Sequence, residues 1–195
     1  MGNLHQPPLA GFVRFFQAKY ALQDFVETGT FLGGSTAFAA AVFPSVTTIE
    51  VKAEYYEATS SRLKDTGARF LLGDSRVELP KVVAGLTGSA LFWLDGHAGG
   101  GHFGDKDDCP LLDELAAIAA SPHEHFVLVD DARAFLAPPP PPFDPDKWPD
   151  LAQVLEAVRR RVPYYCVAIA DTLFCVPPAA KADLRAFCNA VRPKI

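Results

Sequence analysis

The chain has 195 residues, 49% of them hydrophobic and 21% charged, which suits one globular domain over residues 1–195 and leaves too little chain for two. Its net charge is −5, and the densest positive run, Arg159-Arg160-Arg161, falls at an expected helix end where cations suit the dipole, so nucleic-acid binding through phosphates is disfavoured. No apolar run approaches ~20 residues, so no membrane span is expected, and the first residues lack both a secretory signal and a myristoylation pattern, which makes the cytoplasm the expected compartment.

In chain order, the patterning predicts a helix over 11–20 and then alternating strands and helices. Strands are expected at 24–27, 46–50, 69–72, 90–95 and 126–130, with helices over 34–43, 53–65, 75–85 and 110–120. Runs such as Ala90-Leu91-Phe92-Trp93-Leu94 are continuously apolar, as a strand covered on both faces requires. The rhythm implies a parallel sheet with helices on both faces. A helix over 150–161 then leads to strands at 164–170 and 172–176. Their short connection demands an antiparallel pair, and a last helix is expected over 181–191.

Two loops stand out. Residues 97–109 are rich in glycine and acid, and 137–149 hold five consecutive prolines, Pro138 to Pro142. Loops of this length beside a ligand rim are often lids or substrate walls, although the proline run also suits a stiff spacer. Of the four cysteines, Cys109, Cys166, Cys175 and Cys188, none forms a C-x-x-C pair, which argues against a thiolate zinc site. Cys166 and Cys175 are expected opposite each other on the terminal hairpin, as small buried side chains, with a disulfide as the lesser alternative in a reducing compartment.

The acids gather at strand ends: Glu27, Glu50, Asp74, Asp95 and the pair Asp130-Asp131. In open α/β sheets, ligands bind beyond the carboxyl ends of the strands. The first such end reads Glu27-Thr28-Gly29-Thr30-Phe31-Leu32-Gly33-Gly34-Ser35-Thr36. Glycines let backbone approach a ligand closely, the amides of a following helix start favour an anion, and Ser35 or Thr36 could cap that helix. The spacing is Glu-x-Gly-x-x-x-Gly, so the G-x-G-x-x-G pattern of NAD sites is not met. Glu50 stands 21 residues past Gly29, the separation at which a carboxylate can grip ribose hydroxyls. Gly73-Asp74-Ser75 follows the third strand, where Asp74 could hold an adenine amine, cap the next helix, or do both.

Taken together, 27–36, Glu50 and Gly73-Asp74-Ser75 resemble the S-adenosylmethionine (SAM) motifs of class I methyltransferases. The form Glu-Thr-Gly-Thr-Phe-Leu-Gly-Gly-Ser is similar to that of catechol- and caffeoyl-CoA-type O-methyltransferases. Leu94-Asp95-Gly96-His97 and Val129-Asp130-Asp131-Ala132 resemble the macrocin- and novobiocin-type sugar O-methyltransferases. The resemblance covers about 24–133 and implies a Rossmann-like α/β fold: a mostly parallel seven-stranded sheet with a C-terminal antiparallel hairpin and helices on both faces. It implies SAM as cofactor, bound by Glu27, Thr28, Gly29, Thr30, Gly33, Gly34, Ser35, Thr36, Glu50, Gly73, Asp74, Ser75 and Asp95, and a small-molecule acceptor with no nucleic-acid or membrane partner. A homodimer is expected by analogy with related small enzymes.

The same resemblance implies Mg²⁺ held by Asp95, Asp130 and Asp131. Carboxylates converging on one point repel unless a proton or cation intervenes, and Mg²⁺ could bind and activate substrate hydroxyls. The alternative for Asp131 is a pair with Arg133. The sugar-methylating branch often carries another acid where this chain has His97. That imidazole could act as a general base or as a metal ligand beside Asp95, so His97, Asp95 and Asp130 are the candidate catalytic residues. His102, Asp105, Asp107, Asp108 and Cys109 share one loop and could form a mixed metal site, though a solvated lid is the simpler expectation. A hydroxyl acceptor is favoured over an amine. The rivals are a catalytically inactive SAM-binding or scaffold protein and another adenine-nucleotide-binding α/β enzyme.

Overall fold

The computed structural model describes residues 4–97, 109–139, 141 and 143–191. His102, Asp105, Asp107 and Asp108 of the glycine-rich loop, and two of the five consecutive prolines, lie outside these. Helix α1 (Leu9–Tyr20) precedes β1 (Asp24–Thr28), α2 (Gly34–Ala40), β2 (Ser45–Glu50), α3 (Ala53–Arg62), β3 (Arg69–Leu72), α4 (Ser75–Ala84) and β4 (Ala90–Leu94). Then come α5 (Leu111–Ala119), β5 (Phe126–Val129), the short α6 (Arg133–Leu136), α7 (Leu151–Val158), β6 (Tyr165–Ile169), β7 (Thr172–Val176) and α8 (Lys181–Val191).

The seven strands form one sheet in the order β3-β2-β1-β4-β5-β7-β6. The first five are parallel, while β7 runs antiparallel between β5 and β6. This is the arrangement that the alternating pattern and the short terminal connection imply. Cys166 and Cys175 are register partners on the hairpin, with both thiols free.

Each central strand feeds two cores by simple alternation. Ala90, Phe92 and Leu94 pack with residues of α4, α5 and α7, whereas Leu91 and Trp93 pack with those of α1, α2 and α8. Val127 and Val129 follow the first set, and Phe126 and Leu128 the second. Phe92 and Trp93 are fully buried, and such side chains each contribute about 1.5–3 kcal/mol on leaving water. A sheet anchored this way holds its strand ends in fixed register, so groups at the rim inherit rigid positions.

Helix boundaries follow their caps. Asp150 and Gln153 form a reciprocal capping box that starts α7. Asp74 accepts from the Arg76 N–H and starts α4. Helix α2 departs from expectation: Gly33 is its N-cap, with no side-chain cap from Ser35 or Thr36. Among the described residues, no helix is long and apolar enough to cross a membrane.

Candidate active site

The β1–α2 turn is built downward from a buried carboxyl. Glu27 is 1% exposed. Its Oε2 accepts from Thr36 Oγ1 at 2.5 Å and from Thr48 Oγ1 at 2.7 Å. Thr48 and Thr30 hydroxyls meet at 2.5 Å. Thr36 thus turns inward to the acid, which is why it caps nothing. Burial pushes the Glu27 carboxyl up to about 7, against the lowering effect of the threonine hydroxyls.

Gly29 has φ +82°, and its N–H donates to the Ile49 carbonyl at 2.9 Å. A Cβ here would lie 2.7 Å from the Asp95 carbonyl carbon. The glycine is therefore demanded first by the close crossing of the β1 and β4 ends. Gly33, at φ +65°, faces Thr59 and, at 2.9 Å from a notional Cβ, Leu63 of the segment after α3. Gly34 meets no such crowding; the His5 ring is its nearest neighbour, 3.6 Å from a notional Cβ.

Glu50 ends β2 with both oxygens engaged. Oε2 accepts from the Phe31 N–H at 2.8 Å and Oε1 from the Lys52 N–H at 2.9 Å. The acid thereby fastens the exposed tip of the glycine turn, which Thr59 also holds through the Phe31 carbonyl. Gly73 donates to the Glu50 carbonyl at 2.9 Å, bringing Asp74 and Ser75 alongside. Besides capping α4, Asp74 pairs with the Arg76 guanidinium at 3.2 Å, and Arg76 reaches Asp113 on α5, also at 3.2 Å.

Leu94 and Val129 are register partners, so Asp95 and Asp130 end neighbouring strands. Burial and the charges of Asp130 and Asp131 raise the Asp95 carboxyl well above its usual range, despite the opposing effect of His97. Asp131 takes φ +50°, and both of its carboxylate oxygens have partners. Its Oδ1 meets Arg133 at 2.8 Å and its Oδ2 meets His97 Nε2 at 3.2 Å. Although burial opposes it, the His97 hydrogen bond and the neighbouring Arg133 guanidinium hold Asp131 down at about 2. Arg133 also bridges to Asp171 in the β6–β7 turn, and its backbone N–H donates to the same carboxylate.

The three acids lie near one another around His97 but do not form a ligand set. Among the described residues, no group of three or more His, Cys, Asp or Glu side chains is placed to hold a metal ion. A guanidinium beside Asp131 is also the wrong neighbour for a divalent cation. The donor set does not fit Mg²⁺, and the pairing of Asp131 with Arg133 is what the structure contains instead.

His97 is 4% exposed at its side chain and lies edge-on to Trp148 and Phe135, with ring centroids at 5.3 Å and 6.0 Å. Burial alone would depress its pKa, but the Asp131 hydrogen bond and the charges of Asp95, Asp131 and Asp130 outweigh it, and the pKa is raised.

Two residues at this rim escaped the sequence reading. Thr48 gives no signal of its own, being one of two consecutive threonines in β2. Glu114 does: it sits on the apolar face of α5 with Leu111, Leu115 and Ile118, all buried. Its carboxyl lies beneath Gly96, whose notional Cβ would be 3.1 Å from Glu114 Oε1 and 3.2 Å from Thr28 Oγ1. Neither of those two oxygens has a partner in hydrogen-bonding geometry. Burial raises the Glu114 pKa, partly offset by the facing hydroxyls of Ser75 and Thr28.

No family model matches the chain, and no curated protein does. Solved structures do. O-methyltransferase TomG from Streptomyces achromogenes, involved in tomaymycin synthesis and bound to SAM, aligns with TM-score 0.55 at 19% identity, over 88% of this chain and 81% of that one. The S-adenosylhomocysteine (SAH)-bound methyltransferase PaMTH1 of Podospora anserina aligns with TM-score 0.58 at 15% identity, over 88% and 79%. An O-methyltransferase from Bacillus cereus in complex with SAH gives TM-score 0.56 at 13% identity, over 88% and 81%. With the strand order above, these likenesses establish that the chain has the class I methyltransferase fold.

Proposed function

We propose that the chain is a SAM-dependent methyltransferase acting on a hydroxyl group of a small molecule. The observation that carries this reading is the row of groups at the ends of β1, β2 and β3, with a buried imidazole beyond the end of β4 on the same rim. Glu27 and the Gly29–Gly34 turn would receive the methionine part, Glu50 the ribose, and the Asp74–Ser75 turn the adenine. Each oxygen of Glu50 accepts one backbone N–H and keeps acceptor capacity for a ribose hydroxyl.

Methyl transfer is a displacement in line with the bond to sulfur, so the protein must align acceptor and methyl, exclude water and remove one proton. His97 is placed for the last task. If Nε2 carries the proton given to Asp131, Nδ1 keeps the lone pair that takes the acceptor's proton. Asp131 fixes the ring and stabilises the imidazolium, Arg133 holds Asp131, and Asp95 and Asp130 border the same space. Trp148 and Phe135 limit ring motion and water access.

The test is SAH release from SAM across a panel of hydroxyl- and amine-bearing small molecules. The wild-type protein should turn over with at least one hydroxyl acceptor. His97→Gln should keep SAM affinity and lose turnover by about 10²–10⁴-fold, the usual worth of a general base. SAM binding without SAH from any acceptor would favour the scaffold reading. Equal turnover in His97→Gln would remove His97 from the mechanism.

A further inference from the structure

Three strand ends that the proposed cofactor site uses, those of β1, β3 and β4, meet around one side chain with no assigned role. Glu114 reaches from α5 beneath Gly96, with Thr28 on one side and Ser75 on the other. It is 1% exposed, and Oε1 has no hydrogen-bond partner. A buried acceptor left unpaired costs about 1–3 kcal/mol, so such an atom is well suited to a ligand that brings a donor.

The donor that adenine offers at this end is its exocyclic amine. Asp74, the expected acceptor, already takes two donors from one residue. Oδ1 takes the Arg76 N–H at 2.9 Å and Oδ2 takes the Arg76 guanidinium at 3.2 Å. Arg76 also ties Asp74 to Asp113, the residue preceding Glu114, and so links the start of α4 to α5. A glycine at 96 leaves the carboxyl covered by backbone alone, because any side chain there would take its space.

We propose that Glu114 is the specificity residue for the base of the cofactor, accepting the adenine 6-amino group through Oε1. The inference rests on the SAM reading above and adds a residue to it. A 6-oxo base presents an acceptor where adenine presents a donor, so an ionised Glu114 rejects it.

The test compares the Kd of SAH with that of S-inosylhomocysteine, by calorimetry at pH 8, for wild type, Glu114→Met and Glu114→Gln. Wild type should prefer SAH by about tenfold or more, as sites built to hydrogen-bond a group reject its mismatch. In Glu114→Met the ratio should fall to within about threefold of one, chiefly through weaker SAH binding. General loosening of the fold would weaken both ligands and leave the ratio standing, so the ratio separates specificity from support. Should Glu114→Met fail to fold, Glu114→Gln decides. Its amide keeps the shape and can meet either base, so its ratio should also collapse. A wild type that binds SAH without discriminating, or variants that keep the full ratio, would overturn the role of Glu114 and leave the methyltransferase reading intact. Binding of neither ligand by wild type would overturn both.

Discussion

At the scale of single residues, the site works through side chains that do two things at once. Glu50 fastens the Phe31 turn and, in the proposed function, holds the ribose. Glu50→Ala should therefore weaken SAM binding by about 1.5–3 kcal/mol, the scale of a charge-assisted hydrogen bond, and also lower thermal stability by releasing the Phe31 and Lys52 N–H groups; an unchanged Kd by calorimetry would remove Glu50 from the site. The carboxylates at strand ends and the glycine punctuation were legible in sequence because both are local signals. The partners of Asp131 were harder to read. The pair with Arg133 stood as an alternative to metal binding, but the contact with His97 depends on the φ of +50° at Asp131, and the further bridge from Arg133 to Asp171 depends on a hairpin 38 residues along the chain. Gly29 was read as room for a ligand, whereas its nearest obstacle is the Asp95 backbone. Such a crossing between strands leaves no mark in a one-dimensional pattern.

At the scale of elements, periodicity located every strand of the sheet and every α-helix but one, and the ends moved where chemistry intervened. The expected 53–65 helix stops at Arg62, and a 3₁₀ turn, Lys64–Thr66, follows before Gly67 at φ +76°. The four-residue α6 was not foreseen, since it is too short to carry a period. It nonetheless places Phe135 against His97. Helix α7 packs on α5 and follows the chain segment that carries Trp148, so its start matters to the wall of the site. Asp150→Ala removes one half of its capping box and should lower stability by about 1 kcal/mol, measured as a shift in the urea midpoint at unchanged slope. No shift would mean that packing alone sets where α7 begins.

At the scale of the whole molecule, the rim that gathers acids is balanced by an opposite edge with its own polar lock. There, His125 Nδ1 accepts the Ala90 N–H at 3.1 Å, and the Tyr164 hydroxyl accepts the His125 N–H at 2.9 Å. Burial, with His123 and Arg161 nearby, lowers the His125 pKa to about 4. The folded state binds this proton less readily than the unfolded chain, so the stability it supports is complete above an unfolded pKa of about 6.5 and is lost as pH falls from there towards 4. Glu27, raised to about 7, titrates in the opposite sense over an overlapping window. The informative quantity is therefore the difference between wild type and His125→Gln. Between pH 7.5 and 4.5 wild type should lose about 2 kcal/mol relative to the variant, from urea titrations at each pH. Parallel curves would show that His125 is not held neutral.

The central claim, that the strand-end rim is a SAM site, is tested most directly by titrating the purified protein with SAM in a calorimeter, beside NAD as a control. Saturable SAM binding at micromolar concentrations, with no response to NAD, is the result this structure predicts. A protein that ignores SAM, or that takes NAD in its place, would contradict the claim and leave an α/β domain of the same fold with another ligand.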